Sequence, residues 1–105
     1  MSIEKQTKIL NRLVQIMHDS ARGPYDGMSC EFKYESYENG WSVDSKYEFL
    51  REGKSVSELL DDPEDEASNF VHELHELMKV HTGGDWKSFV LNVDATGKAN
   101  IQFSY

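Results

Sequence analysis

The chain opens with apolar side chains spaced three and four residues apart, which predicts an amphipathic helix over about residues 4–20. The apolar stripe of this helix is formed by Ile3, Leu10, Leu13, Val14 and Met17, and is widened by Ile9 and Ile16. Ser2 is the expected N-cap residue, and Gly23-Pro24 ends the segment.

The next segment alternates between apolar and polar residues, as a half-buried strand does. The inward positions are Met28, Cys30, Phe32 and Tyr34, and then Trp41, Val43, Tyr47 and Phe49. Between the two runs lies Asn39-Gly40, which is expected to supply the positive φ angles of a tight turn. Residues 27–50 are therefore predicted to form an antiparallel hairpin with one buried and one charged face.

Residues 51–62 are interpreted as a polar connection to a second helix. Asp62 is the expected N-cap residue and Pro63 the first helical position, with Asp65 and Glu66 in the first turn. The apolar stripe of this helix is Ala67, Phe70, Val71, Leu74, Leu77, Met78 and His81. Gly83-Gly84 ends it, with Gly83 in a left-handed cap.

A second hairpin follows, with Phe89, Leu91 and Val93 pointing inward from one strand. The inward positions of the other strand are Ala99, Ile101, Phe103 and Tyr105. The turn over residues 94–98 places Gly97 at a left-handed bulge position.

The order αββαββ predicts one α+β domain over residues 1–105, a two-layer sandwich whose four-stranded antiparallel sheet carries two helices on one face. The residues expected to be mostly buried are Met28, Phe32, Trp41, Val43, Leu74, Phe89, Leu91, Ile101 and Phe103.

The net charge of the chain narrows the classes of partner that it is expected to bind. The 105 residues include 11 basic and 19 acidic side chains, a net charge of −8. Phosphate contacts need clustered lysine and arginine, so nucleic acid is not an expected partner, whereas a basic protein surface is. Cys30 is the only cysteine, and neither a secretory signal nor a membrane-spanning run is apparent. The chain is therefore expected to be cytoplasmic, away from membranes, with Cys30 as a buried apolar residue.

Two histidines form the candidate metal site. The segment His72-Glu73-Leu74-His75-Glu76 resembles the zinc-binding pattern His-Glu-x-x-His, but its second histidine comes one residue early. His72 and His75 share a helical face, yet structural zinc needs four ligands and no cluster completes the set. We expect a solvated helix face opposite Leu74 and Leu77, no cofactor and no enzymatic activity. A small metal-binding or enzymatic protein that uses His72 and His75 is the alternative.

The acidic stretch from Glu58 to Glu66 is the candidate binding site, because six of its nine residues are acidic and none is basic. Helix capping accounts for Asp62, Asp65 and Glu66, and the remaining charge suits recognition of a basic surface. The predicted partner-binding residues are Glu58, Asp61, Glu64, Asp65 and Glu66. The charged face of the first hairpin is interpreted as an ordinary wet sheet face. Its members are Glu31, Lys33, Glu35, Tyr37, Asp44, Lys46 and Glu48.

The C-terminal twenty residues resemble the ending of the YezG-like antitoxin, or immunity, proteins. The likeness lies in Trp86, the alternating strand that follows it, the Gly97-Lys98 turn and a last strand that ends in Tyr105. The resemblance implies a bacterial cytosolic protein that neutralises a cognate toxin, commonly a nuclease, by stoichiometric binding, and it implies no catalytic residues. An acidic inhibitor that mimics nucleic acid is the related alternative.

Overall fold

In the part of the chain that the structure describes, two helices and five strands follow one another in the order αβββαββ. The computed structural model describes residues 2–60, 65–83 and 85–105. The elements are α1 (Ser2–Ala21), β1 (Gly27–Tyr37), β2 (Gly40–Arg51), β3 (Lys54–Glu58), α2 (Glu66–Thr82), β4 (Ser88–Val93) and β5 (Ala99–Ser104). Among the described residues, no helix is long and apolar enough to cross a membrane.

The strands form one antiparallel sheet in the order β3-β2-β1-β4-β5. The predicted α+β class and both predicted hairpins are confirmed, but the sheet has five strands rather than four. The additional strand is β3, which lies within the segment interpreted as a polar connection. It pairs with β2 from Tyr47↔Glu58 to Arg51↔Lys54.

Strand β3 follows a tight two-residue turn at Glu52-Gly53. Glu52 and Gly53 separate the paired residues Arg51 and Lys54, and their φ angles are 54° and 78°. Positive φ at both central positions is the mark of a type I′ turn, whose twist matches that of a hairpin. The strand was missed because Val56 is its only apolar residue, and an edge strand buries little.

The turn of the first hairpin differs from its prediction. Tyr37 pairs with Gly40, so the two connecting residues are Glu38 and Asn39. Neither Asn39 nor Gly40 has a positive φ angle, so the expectation that Asn39-Gly40 supplies one was wrong. Gly97, with φ 86°, and Gly83, with φ 70°, do adopt the predicted left-handed conformations.

Both helices pack on the same face of the sheet. The Tyr47 hydroxyl donates a hydrogen bond of 2.6 Å to the carbonyl oxygen of Met17 in α1, and the Tyr34 hydroxyl lies 2.9 Å from His72 Nδ1 in α2. Tyr34 and Tyr47 point to the same face of the sheet. Tyr47 pairs with Cys30, and Cys30 lies four residues before Tyr34 in β1, so all three side chains share a face. The opposite face of the sheet therefore remains open.

The core lies between this sheet face and the helices. Of the predicted core residues, five are buried: Met28, Phe32, Leu74, Phe89 and Leu91. The other four are half-buried: Trp41, Val43, Ile101 and Phe103. Cys30 is buried, as predicted. In α1 the buried stripe is centred on Ile9, Leu13, Ile16 and Met17, with Leu10 and Val14 at its border.

The end of α1 is held by a residue from β2. Arg51 donates hydrogen bonds to the carbonyl oxygens of Ala21, at 2.6 Å, and Pro24, at 2.8 Å. Its guanidinium lies 4.6 Å from the centre of the Phe49 ring. A cation at a helix C-terminus satisfies orphan carbonyls and complements the helix dipole.

Helix α2 begins at Glu66, after Asp65 in a left-handed conformation (φ 53°). Asp65 makes no side-chain capping hydrogen bond, although its carbonyl oxygen accepts one from the Asn69 amide at 3.1 Å. The predicted cap residues Asp62 and Pro63 lie outside the described residues, as does Gly84.

Candidate functional site

The open face of the sheet contains a concave region with a volume of about 610 Å³. Its charged and apolar side chains are Glu31, Lys46, Glu48, Leu59 and Val90, and Glu58 borders it at the end of β3. We call this region the acidic trough. It lies on the side of the sheet away from α1 and α2, so neither of the two described helices covers it.

The strand register brings these side chains together. Glu31 in β1 lies between Lys46 of β2 and Val90 of β4. Glu48 of β2 lies opposite Ser57 of β3, and Glu58 is the last residue of that strand. Leu59 follows at once, and the alternation of a strand points it to the face that carries Ser57.

The trough holds the carboxylates of Glu31 and Glu48 and the ammonium group of Lys46, so its net charge is negative. Within the described part of the chain, Glu31 forms no hydrogen bond or ion pair through its carboxylate, and Glu48 accepts only a 3.4 Å hydrogen bond from the Ser55 hydroxyl. Carboxylates without cationic partners attract a basic surface and steer its approach.

Leu59 adds an apolar group to this charged surface, and its side chain is 92% exposed. Single exposed leucines are common on proteins and need no function. This one borders a concave region and stands beside Glu58 at the start of the acidic stretch. An apolar centre within a polar, charged rim is the usual composition of a protein–protein interface.

The structure separates the residues predicted to bind a partner. Glu58 borders the trough at the end of β3, but its side chain shares the sheet face of its partner Tyr47, which is the helix side. Glu66 pairs with Arg12 of α1, also on the helix side of the sheet. Asp65 is exposed just before α2, and Asp61 and Glu64 lie outside the described residues.

Glu31 and Glu48 were assigned by sequence to a structural sheet face, and in the structure they line the trough beside the end of β3. Strand β3 is the reason, since it lays the start of the acidic stretch alongside β2. The signal that could have revealed this arrangement is Glu52-Gly53, a two-residue turn flanked by polar alternation.

His75 does not lie on a solvated face, so that expectation was wrong. Its ring is 3% exposed, stacks on Tyr34 with 4.2 Å between ring centres and meets the edge of Trp86 at 4.8 Å. His75 Nε2 lies 3.0 Å from Asp85 Oδ1. Its Nδ1 is buried and has no hydrogen-bond partner among the described residues. Tyr34 and Trp86 extend the core beyond the aliphatic stripe of α2, which a helical projection alone does not show.

His72 is also engaged in packing. Its ring stacks on Trp41 with 4.2 Å between ring centres and 3° between ring planes, and its Nδ1 contacts the Tyr34 hydroxyl. Burial raises the pKa of Tyr34, with Glu76 and Asp85 contributing to the same shift. The described residues contain no group of three or more histidine, cysteine, aspartate or glutamate side chains that could hold a metal ion. The rings of His72 and His75 thus pack α2 against the sheet.

Two further titratable groups bear on reactivity. Burial raises the pKa of the Cys30 thiol to about 12, so the thiol stays protonated and is a poor nucleophile at neutral pH. The charge of Lys87, and then hydrogen bonds from Lys87 and His75, lower the pKa of Asp85. Asp85 is thus an ionised carboxylate, and it accepts a hydrogen bond from the Nε2–H group of His75.

Comparison with known protein-family models found no match to this chain, and comparison with proteins of curated function found none either. The resemblance of the C-terminal segment to YezG-like proteins stays a prediction.

Proposed function

We propose that this protein is an immunity protein, or antitoxin, that neutralises a cognate basic toxin by stoichiometric binding through the acidic trough. The observation that carries the proposal is Leu59, which is 92% exposed at the border of a concave surface with the carboxylates of Glu31 and Glu48. Charge attracts the partner, and the leucine supplies apolar area to the complex.

The class of toxin follows from the sign of the charge and from the sequence resemblance. A nuclease binds phosphate groups with lysine and arginine, so its substrate cleft is basic. Glu31 and Glu48 present carboxylates that suit such a cleft, on a surface that is already formed in the free protein. A preformed surface binds without the entropic cost of ordering a loop.

The trough also favours one partner over many. Lys46 lies directly opposite Glu31, and Leu59 interrupts the acidic surface. A nucleic-acid mimic would instead display carboxylates alone, as a phosphate backbone displays only negative charge. The combination of both charges with an apolar group therefore favours a cognate toxin over nucleic-acid mimicry.

The test is co-expression with the toxin, for which the product of the adjacent gene is the candidate. The wild-type chain should restore growth and form an equimolar complex by light scattering. Leu59→Ser should weaken the complex about tenfold or more, which corresponds to about 1.4 kcal/mol of binding free energy. Val80→Ser is the matched control, because Val80 is also exposed but lies on α2, on the far side of the sheet.

An equal loss of binding affinity with Leu59→Ser and Val80→Ser would contradict the assignment of the trough as the binding surface. Displacement of DNA from unrelated DNA-binding proteins would favour the mimic instead. Failure of the wild-type chain to bind or neutralise the adjacent product would contradict the proposed function itself.

A further inference from the structure

Strand β5 forms an edge of the sheet, and in the described structure only β4 pairs with it. Residues 99–105 contain no charged side chain, although 29% of the whole chain is charged. The opposite edge strand, β3, carries Lys54 and Glu58. The β5 edge of the sheet is therefore uncharged, whereas the β3 edge presents charged side chains to another chain.

An exposed edge strand presents unpaired backbone amides and carbonyls, and proteins usually protect it with lysine, proline or a bulge. Residues 99–105 contain neither lysine nor proline. The register with β4 runs without interruption from Ser88↔Ser104 to Val93↔Ala99. The outer edge of β5 is thus regular and free to accept a further strand.

The side chains of β5 have apolar area left to bury. Ile101 and Phe103 are half-buried on the helix side of the sheet, and Tyr105, with the same orientation by alternation, is 72% exposed. A strand added to this edge would cover the exposed sides of all three residues. Backbone hydrogen bonds and apolar burial would then act together.

We propose that the outer edge of β5 pairs with β5 of a second copy of this chain, antiparallel and about a two-fold axis at Gln102. This register uses residues 99–105 in full and places Ile101 opposite Phe103 and Asn100 opposite Ser104 of the second copy. Each position meets an uncharged side chain on the same face. Such an isologous contact closes after two copies and leaves β3 at both ends of a ten-stranded sheet.

Charge argues for a second copy rather than for a basic partner. Two chains with a net charge of −8 repel each other, so they associate best where neither presents a charge. A basic partner gains nothing from an uncharged edge and is drawn to the acidic trough. The inference is independent of the proposed function, because it concerns the free protein alone.

Sedimentation of the purified chain from micromolar to near-millimolar concentration provides the test. The wild type should form a dimer that strengthens with added salt, because salt screens the repulsion between copies. Gln102→Lys alone and Gln102→Glu alone should each be monomeric, since the substituted side chains face each other across the axis. An equimolar mixture of these two variants should restore the dimer.

The matched control is Ser57→Lys, which adds the same charge to the open face of the other edge strand. This variant should dimerise like the wild type. A monomeric wild type would overturn the proposal, as would a dimer that Gln102→Lys leaves intact or that Ser57→Lys breaks. Failure of the mixture to restore the dimer would overturn the two-fold register at Gln102.

Discussion

His75 donates a hydrogen bond to Asp85 across 3.0 Å while its ring is held between Tyr34 and Trp86. The imidazole thus fills space in the core with one nitrogen satisfied and the other buried without a partner among the described residues. Its aromatic area stabilises the fold, and the unpaired nitrogen costs part of that gain.

We therefore expect His75→Phe to leave the free energy of unfolding unchanged or to raise it, because the ring is kept and the removal of the unpaired nitrogen offsets the loss of the hydrogen bond to the exposed Asp85. His75→Ala should lower it by about 2–5 kcal/mol, the usual cost of a large core truncation. Urea denaturation checks both variants, with His18→Ala as the exposed control. His75→Phe should also keep full toxin neutralisation, whereas a metal or catalytic role for His75 would abolish activity.

The acidic trough should govern the rate of association. Replacing Glu31 and Glu48 of the trough, together with Glu58 at its border, by glutamine should slow binding of the basic partner and flatten its dependence on salt, since unpaired surface charges act on encounter. Stopped-flow measurements at two ionic strengths provide the check. The matched control replaces Glu4, Glu52 and Glu73, which are exposed acids outside the trough. Equal slowing by both triple variants would show that net charge alone acts.

Glu66 should behave as a stabilising residue rather than a binding residue, because it pairs with Arg12 between α2 and α1. Both side chains are more than one-third exposed, so solvent screening keeps the pair weak. A double-mutant cycle with Arg12→Ala and Glu66→Ala should give a coupling of about 0.2–1 kcal/mol. Glu66→Ala should leave the rate of toxin association nearly unchanged, and a strong slowing would return Glu66 to the binding surface.

The turn that creates β3 should be sensitive to glycine replacement. Gly53→Ala should lower the free energy of unfolding by about 1–2 kcal/mol, because φ at Gly53 is 78° and a side chain is strained there. Gly40→Ala should be neutral or stabilising, since its φ is not positive and a Cβ atom would meet nothing within 4 Å. Chemical denaturation distinguishes the two. A larger loss of stability for Gly40→Ala than for Gly53→Ala would contradict the conformations assigned to the two turns.

Stability should fall at alkaline pH. Burial raises the pKa of Cys30 from 9.0 to about 12 and that of Tyr47 from 10.0 to about 12. Both groups are neutral when protonated, so the folded state keeps protons that the unfolded chain releases. Their contribution is therefore complete below pH 9 and is lost as the pH rises toward 12, by up to about 1.4 kcal/mol per pH unit for each group.

Denaturation below pH 9 and between pH 9 and 12 measures this loss. The double variant Cys30→Ala, Tyr47→Phe should be less stable at neutral pH, where it lacks the Tyr47 hydrogen bond to Met17, yet should show a shallower alkaline decline. An equally steep decline in this variant would assign the effect to other groups.

Local patterns in the sequence determined most of the elements. Helical spacing from Ile9 to Met17 and strict alternation from Met28 to Tyr34 each reflect one buried face, and one face is enough to define a helix or a strand. The left-handed residues Gly83 and Gly97 were predictable for the same reason, since a cap or a tight turn is a local requirement.

Tertiary structure decided the contacts that depend on distant partners. Strand β3 is stable because β2 supplies its hydrogen bonds, not because Val56 alone defines an apolar face. His75 is buried because Tyr34 and Trp86 converge on it from elsewhere in the chain. The acidic trough exists only once three strands lie side by side and bring Glu31, Glu48 and Leu59 together. Pairing across a sheet depends on register between distant segments, which no single stretch of sequence contains.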